Sequence, residues 1–406
     1  MALDRIVIAG AGQAGLSLAE ALRAGGFEGA IALIGEEDAP PYQRPPLSKK
    51  YLLGETSAER LWLKPQDFYH DSRIDLALGV RAVSIDRAGR LLRLSDGRAL
   101  PYDRLALTTG ARPRRLPEAI GGALAGVYPV RGLADVDAME PEFVEGRHAL
   151  VIGGGYIGLE AAAVAALKGL RVTLLEAAPR ILGRVAAEAT ADYFRDLHRA
   201  HGVDLREGAS LARLEGEGGR VSRAALADGE TLEIDFVLAG VGIDPDVTLA
   251  EAAGLALENG VACDETCATS DPAIFAAGDC ASFPWRGRRI RLESVQNAID
   301  MGKAAARAML GDPAPYDPIP WFWSDQYDVK LQIAGLNAGY ARTVVRPGAR
   351  EGTRSVWYLD AQDRLLAVDA MNDPRAFMTG KRWLETGATP DPAGLADPER
   401  ELKALV

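Results

Sequence analysis

Twice along this chain a short unbroken apolar run ends in a glycine-rich turn and gives way to an Ala- and Leu-rich stretch. The first run is Arg5-Ile-Val-Ile-Ala9 and the second is Ala149-Leu-Val-Ile152. Runs this short and apolar on both faces predict strands buried in a parallel sheet, and the stretches after them predict helices. Each is followed by a further apolar run closing on an acid: Ala30-Ile-Ala-Leu-Ile-Gly-Glu36 and Arg171-Val-Thr-Leu-Leu-Glu176. Three more buried strands are expected, at 103–110, 236–242 and 269–279, the last ending in Gly278-Asp279. A helix is expected from about 296 to 310, then a proline-rich linker over 312–320. Beyond Trp321 the pattern changes to short alternating segments at 329–335, 353–360 and 364–371, with a helix near 375–385. That change predicts a separate α+β domain. The tail 390–406 has no clear periodicity and reads as loosely ordered.

The two turns carry the chemistry. They read Gly10-Ala-Gly12-Gln-Ala-Gly15 and Gly153-Gly-Gly155-Tyr-Ile-Gly158. In such a turn the first glycine makes the bend, the second admits a pyrophosphate against the backbone, and the third lets helix pack on strand. Phosphate charge then meets the free N–H groups of the helix N-terminus. Glu36 and Glu176 fall about 20 residues on, where a carboxylate accepts hydrogen bonds from an adenosine ribose. Two complete fingerprints on one chain point to two dinucleotides, a flavin facing a nicotinamide. The expected fold is α/β, with two Rossmann-like dinucleotide-binding domains and a C-terminal α+β domain. The expected boundaries are 1–113 with 243–318 for the first domain, 114–242 for the second and 319–406 for the third.

Bulk properties narrow the function classes. At 406 residues, with 48% apolar residues and 44 glycines, the chain can form several compact, turn-rich domains. A net charge of −11 argues against a general nucleic-acid or membrane-surface binder. Met1-Ala-Leu-Asp4 runs straight into the first strand, leaving no room for a signal peptide, and the alanine run 161–166 is too short to span a bilayer. Cytoplasm is the expected location. The three cysteines, Cys263, Cys267 and Cys280, all come late, and the C-x3-C spacing fits neither a redox pair nor a zinc site. They are expected to be inert, so electrons reaching a flavin must leave to something outside the chain. His198 and His201 lack a nearby ligand set and are expected to face solvent; no metal site is expected.

The motifs, taken in order, resemble a known family. Besides the two fingerprints they are Arg44-Pro-Pro-Leu-Ser-Lys49, Thr108-Thr-Gly110, Gly240-Val-Gly242-Ile-Asp-Pro245, Gly278-Asp279, Glu293-Ser-Val-Gln-Asn297 and Trp321-Phe-Trp-Ser-Asp-Gln326. The chain closely resembles the bacterial NADH-dependent ferredoxin reductases over nearly its whole length. The resemblance implies a glutathione-reductase-like fold, the NAD domain inserted in the FAD domain, and electron flow from NADH through FAD to a [2Fe–2S] ferredoxin serving a cytochrome P450. Reductases for dioxygenase ferredoxins or rubredoxin share the pattern, and an NADH-sensing flavoprotein of the apoptosis-inducing-factor type is a further alternative. By position the resemblance assigns Ala14, Glu36, Lys49, Ala82, Arg131, Asp279 and Val295 to FAD. Gly10, Gly12, Gly15, Arg44, Gly153, Gly155, Tyr156, Ile157, Gly158, Glu176 and Gly242 are the further cofactor-binding candidates, for FAD and NADH together.

Hydride transfer to flavin needs no protein nucleophile; the protein supplies stacking, electrostatics and exclusion of water. The resemblance implies that Lys49 is a cation beside the flavin and that Glu160 pairs with it and meets the nicotinamide. The helix beginning at Val295 can aim its N–H groups at the flavin. Trp321 and Trp323, two apart on an extended segment, share a face; the resemblance puts the pair near the flavin and the ferredoxin-docking face, where either can shape the electron exit, with Trp323 the candidate taken. Lys303, Lys330, Lys381 and Arg382 are the expected basic contacts for an acidic ferredoxin. The family's usual Ala-Thr-Gly is Thr108-Thr-Gly110 here, and Asp246 follows Pro245 where asparagine is usual.

Overall fold

The computed structural model describes residues 3–406. The chain divides into two compact units, one of Met1–Gln43, Ala58–Arg112 and Ile243–Pro318, the other of Arg44–Ser57, Pro113–Gly242 and Ile319–Val406.

The first unit is built on a five-stranded parallel sheet in the order Ile274–Ala276, Arg104–Leu107, Arg5–Ala9, Ala30–Ile34, Ile74–Ala77. Ile6, Val7 and Ile8 are wholly buried, as expected for a central strand covered on both faces. The chain leaves Arg5–Ala9 to one neighbour and returns later on its other side, so Gly10 stands where the strand order reverses. Open α/β sheets bind ligands at that position. Two helices, Gln13–Ala24 and Val295–Met309, pack against each other. A three-stranded meander, Ala82–Asp86, Leu91–Leu94 and Ala99–Pro101, begins at Ala82.

The second unit repeats the plan. Its parallel sheet runs Asp204–Glu207, Arg171–Glu176, His148–Ile152, Phe236–Ala239, Val127–Pro129, and the helix after the central strand is Tyr156–Leu167. The same unit holds an antiparallel five-stranded sheet, Trp321–Gln326, Val329–Gly335, Leu365–Met371, Arg354–Leu359, Arg342–Pro347. The helix Pro374–Thr386 closes its core, with Asp373 accepting from the Ala376 N–H and Gly387 ending the helix at φ 69°. Trp357, Val368 and Ala376 sit at the centre of that core.

The tail departs from expectation. Residues 390–406 form the helix Pro392–Ala396 and the 3-10 turn Leu402–Ala404, with Leu395 and Leu405 joining the core. The buried Arg346 guanidinium donates to the carbonyls of Gly394, Leu395, Asp397, Pro398 and Arg400, at 2.5–3.3 Å. One arginine satisfying five carbonyls leaves no periodic signal in sequence. Such a tail reads as loose until its partner strand is known.

Candidate functional site: two dinucleotide crevices and a buried carboxylate

The first crevice opens at the C-terminal end of Arg5–Ala9. Gly10 adopts φ +120°, and a Cβ there would fall 2.2 Å from the Thr108 carbonyl oxygen. A Cβ on Gly15 would fall 2.1 Å from the Gly10 oxygen, whereas one on Gly12 would meet nothing within 4 Å. Two glycines are thus demanded by the protein itself, and the middle one leaves free space over a helix start. That helix has no side-chain cap and no acid in its first turn, the arrangement that suits a phosphate. Thr108, the departure from the family's alanine, donates from Oγ1 to the Gly10 oxygen at 2.8 Å and so braces the turn. Asp246, the second departure, accepts from Arg112 Nε at 2.9 Å, and its backbone carbonyl accepts from Thr109 Oγ1 at 2.6 Å. Glu36 is exposed, with Arg112 Nη2 3.5 Å away. Ala82, Asp279 and Val295 lie in the same unit, Asp279 directly after Gly278 at φ +82°. Ser294 caps the helix starting at Val295, accepting from the Asn297 N–H.

The second crevice has the same backbone and a different carboxylate. Cβ atoms on Gly153 and Gly158 would fall 2.4 Å from the Gly240 oxygen and 2.0 Å from the Gly153 oxygen, while Gly155 faces open space. Glu176 accepts from the Gly154 N–H at 2.8 Å and from the Ala178 N–H at 2.7 Å. Both its oxygens are held by backbone. Ile157 is exposed, and the Tyr156 ring stands edge-on to Phe322 at 4.8 Å. Gly242, at φ +103°, ends the segment.

Arg44, Lys49 and Arg131 belong to the second unit, where Arg44 Nη1 donates to the Arg131 carbonyl at 3.0 Å. Lys49 and Glu160 meet there. Lys49 Nζ lies 3.0 Å from Glu160 Oε1 and 3.5 Å from Asp325 Oδ2. Glu160 is buried, on the Tyr156–Leu167 helix, and accepts from Ser48 Oγ at 2.7 Å and Ser324 Oγ at 2.6 Å. Burial pushes its carboxyl above the usual carboxylate range; Lys49, Ser324 and Ser48 oppose that shift.

Ser48, Ser324 and Gln326 are functional candidates that sequence reasoning passed over. The signal was present: in the strand Trp321–Gln326 the even positions Phe322, Ser324 and Gln326 alternate with the paired tryptophans. Trp321 and Trp323 share the other face, centroids 5.8 Å apart, and Trp321 packs on Phe377. His198 corrects the sequence reading outright. It is fully buried rather than solvent-facing, because it extends the stripe Ala191, Phe194, His198 on the inner side of the helix Glu188–Ala200. His201, just past the helix, is exposed and stacks on Tyr327 at 3.7 Å.

Cys263, Cys267 and Cys280 are free and buried, with burial raising each thiol, which leaves them poor nucleophiles. Among the described residues no cluster of three or more His, Cys, Asp or Glu could hold a metal ion, and no helix is long and apolar enough to cross a membrane. Lys303, Lys330 and Arg382 are exposed; Lys381 is half-buried and paired to Glu385 at 3.0 Å.

Two dinucleotide crevices, a C-terminal antiparallel domain and no reactive thiol define an oxidoreductase that works through bound dinucleotides. The chain belongs to the pyridine nucleotide-disulphide oxidoreductase family, whose model matches residues 4–302, and residues 321–406 match the reductase C-terminal domain. It is 43% identical over 402 residues to a ferredoxin–NAD(P)+ reductase of Sphingomonas sp, covering 98% of this chain and 96% of that one. Its fold matches putidaredoxin reductase in a covalent complex with putidaredoxin, at TM-score 0.95 and 41% identity, covering 100% of this chain and 98% of that chain. It equally matches the ferredoxin reductase for the CYP199A2 system from Rhodopseudomonas palustris, at TM-score 0.95 and 41% identity over 99% and 100% of the two chains. The enzyme uses FAD and a nicotinamide dinucleotide.

Proposed function

We propose that the protein is a cytoplasmic NADH:ferredoxin reductase that passes electrons through FAD to a [2Fe–2S] ferredoxin feeding a cytochrome P450. The fit of the crevices supports the cofactor assignment, because Gly12 and Gly155 each leave open space over an uncapped helix start. FAD, when bound, accepts two electrons as hydride and releases them singly, which is the conversion a one-electron carrier requires.

The chain's own residues do the rest. Gly10, Gly12, Ala14, Gly15, Glu36, Arg44, Lys49, Ala82, Arg131, Asp279 and Val295 hold FAD. Gly153, Gly155, Tyr156, Ile157, Gly158 and Gly242 hold NADH, and Glu176 selects it by placing a carboxylate where NADPH carries a phosphate. Glu160 and Lys49 orient the nicotinamide, Glu160 as a fixed carboxylate and Lys49 as its counter-ion. Trp323 lines the electron exit, and Lys303, Lys330, Lys381 and Arg382 offer positive charge to an acidic ferredoxin. The observation that carries the reading is the doubled crevice on a chain whose cysteines are all buried, which forces electrons outward to a separate carrier.

The test is anaerobic. NADH should bleach the flavin of the purified enzyme, and cytochrome c should then be reduced quickly only when a [2Fe–2S] ferredoxin is added. A bleached flavin that no ferredoxin reoxidises, with slow turnover and NADH-induced dimerisation, would replace this reading with a sensor.

A further inference from the structure

Behind Glu160 runs a line of buried polar side chains that neither nucleotide crevice requires. Ser324 Oγ lies 2.6 Å from Glu160 Oε1, Gln326 Nε2 lies 3.2 Å from Ser324 Oγ, and His198 Nε2 lies 2.9 Å from Gln326 Oε1. Tyr327 Oη lies 3.3 Å from His198 Nδ1. Ser324, Gln326 and His198 are each 0% exposed. Burying so many polar groups is costly unless each is satisfied, so the line needs an explanation.

Its donors and acceptors can be arranged in one direction only. An ionised Glu160 accepts and cannot donate. Ser324 must therefore spend its single proton on Glu160, which leaves its oxygen to accept from the Gln326 amide. That turns Gln326 Oε1 toward His198, so Nε2 of the imidazole must carry hydrogen. Nδ1 is then the acceptor for the Tyr327 hydroxyl. The opposite tautomer would set two acceptors face to face at 2.9 Å. Ser48 Oγ donates to the other carboxylate oxygen, Oε2, and Lys49 Nζ shares Oε1 with Ser324.

We propose that His198 is a positioning residue for Glu160: in its Nε2–H form it locks the Gln326 amide, which locks the Ser324 hydroxyl proton onto the carboxylate that pairs with Lys49. The charged and titratable groups facing Glu160 are Lys49 and, beyond it, Asp325; those facing His198 are His201 and Tyr327. Burial drives the imidazole down to about 4, so the lock stays neutral and unidirectional across the working pH range. Without it, Gln326 is free to flip and Ser324 to turn its proton elsewhere. Glu160 then loses a donor and takes up a proton at higher pH. One hydrogen bond to a charged group is worth about one pKa unit or somewhat more.

This inference rests on the reading of Glu160 as a group that orients the nicotinamide, so its test includes a measurement that does not depend on turnover. Long-range 15N NMR of histidine in the purified holoenzyme should show His198 neutral, with hydrogen on Nε2, from about pH 5 to pH 8. A neutral Nδ1–H form, or an imidazolium over that range, would overturn the proposal whatever the enzyme reduces. The kinetic arm compares His198→Leu with His198→Gln, whose amide can donate where Nε2 stood. For His198→Leu the acid limb of kcat/KM for NADH should rise by about one pH unit, giving up to roughly a tenfold loss below that limb and little change well above it. His198→Gln should restore most of the parent profile. A uniform loss at every pH, or an unchanged profile in His198→Leu, would reduce His198 to a core residue. If His198→Leu does not fold, the NMR result on the unmutated enzyme decides alone.

Discussion

The two units share a backbone plan and differ in where they keep their charge. In the first, the buried polar side chains among the described residues are Ser17, Thr108, Ser282 and Asn297, all neutral, and Glu36 stands exposed beside Arg112. The second buries the ionisable side chains of Glu142, Glu160, Arg346, Asp360 and Asp369 and the neutral imidazole of His198, and ties both oxygens of Glu176 to backbone N–H groups. A crevice that holds one cofactor permanently can be a neutral cradle, because affinity comes from many contacts made once. A crevice that admits and releases a substrate at every turnover has to discriminate and orient it, and fixed charge does both. On the proposed assignment of the cofactors, the same glycine geometry serves storage in one unit and selection in the other.

The sharpest break of that comparison is at the two acids. An NADPH 2′-phosphate beside Glu176 would place like charges about 4 Å apart, a repulsion of roughly 4 kcal/mol at an effective dielectric near 20. NADH should therefore be preferred about a thousandfold in kcat/KM, Glu176→Ala should erode most of that preference, and Glu36→Ala should leave it unchanged. Comparable kcat/KM for NADPH in the unmutated enzyme would remove the contrast.

Next in size is the steric symmetry of the turns. Gly15→Ala and Gly158→Ala each drive a methyl group into a backbone oxygen about 2 Å away, and each should cost about 3 kcal/mol of stability, read as a lower denaturant midpoint. A large loss in only one of the two would show that the crevices are not built alike.

Titratable groups buried in the second unit should make its stability depend on pH in two opposed ways. Burial lowers His198 from 6.5 to about 4, so the unfolded chain binds its proton first. That contribution is complete above pH 6.5 and is lost as pH falls toward 4. Asp369, which accepts from Thr190 and Tyr358, is raised from 3.8 to about 6 by burial. Its contribution is complete below pH 3.8 and is lost as pH rises through 6. Each amounts to roughly 3 kcal/mol, and in the parent they offset. Asp369→Asn should therefore make stability climb with pH between 4 and 6.5 relative to the parent, and His198→Gln should make it fall. Parallel curves for all three proteins would mean that neither group titrates as its burial requires.

The smallest effect expected is at the surface. Lys381 is already paired with Glu385, and exposed charges are screened over about 10 Å at 0.1 M ionic strength. Reversing Lys381 and Arg382 to glutamate should raise KM for a ferredoxin only several-fold and flatten its salt dependence, leaving ferricyanide reduction alone. A parallel fall in both activities would place these residues in the fold rather than in docking.

How much of this was legible in sequence follows from the range of each interaction. The glycine turns and their acids are local patterns, and Gly10 through Glu36 and Gly153 through Glu176 could be read directly. The Lys49–Glu160 contact joins positions far apart in the chain and was accessible only through resemblance. His198 was misread although its helix stripe contained the answer, because histidine is polar enough to pass for surface. Ser324 and Gln326 lie inside a recognisable motif, but a polar side chain on a strand declares its partner only once the facing helix is placed. Arg346 and the tail show the same limit: carbonyl acceptors carry no sequence identity.

The proposed division of labour between the crevices is tested most directly by Gly12→Ala and Gly155→Ala, because a methyl group at either position meets nothing beyond its chain neighbours within 4 Å, so that its effect falls on a bound dinucleotide. Each variant should be purified under identical conditions, its flavin content measured from the visible spectrum, and its NADH saturation followed by anaerobic stopped flow. Gly12→Ala should come off the column depleted of flavin, and Gly155→Ala should stay yellow while requiring far more NADH for bleaching. A yellow Gly12→Ala beside a colourless Gly155→Ala would contradict the account.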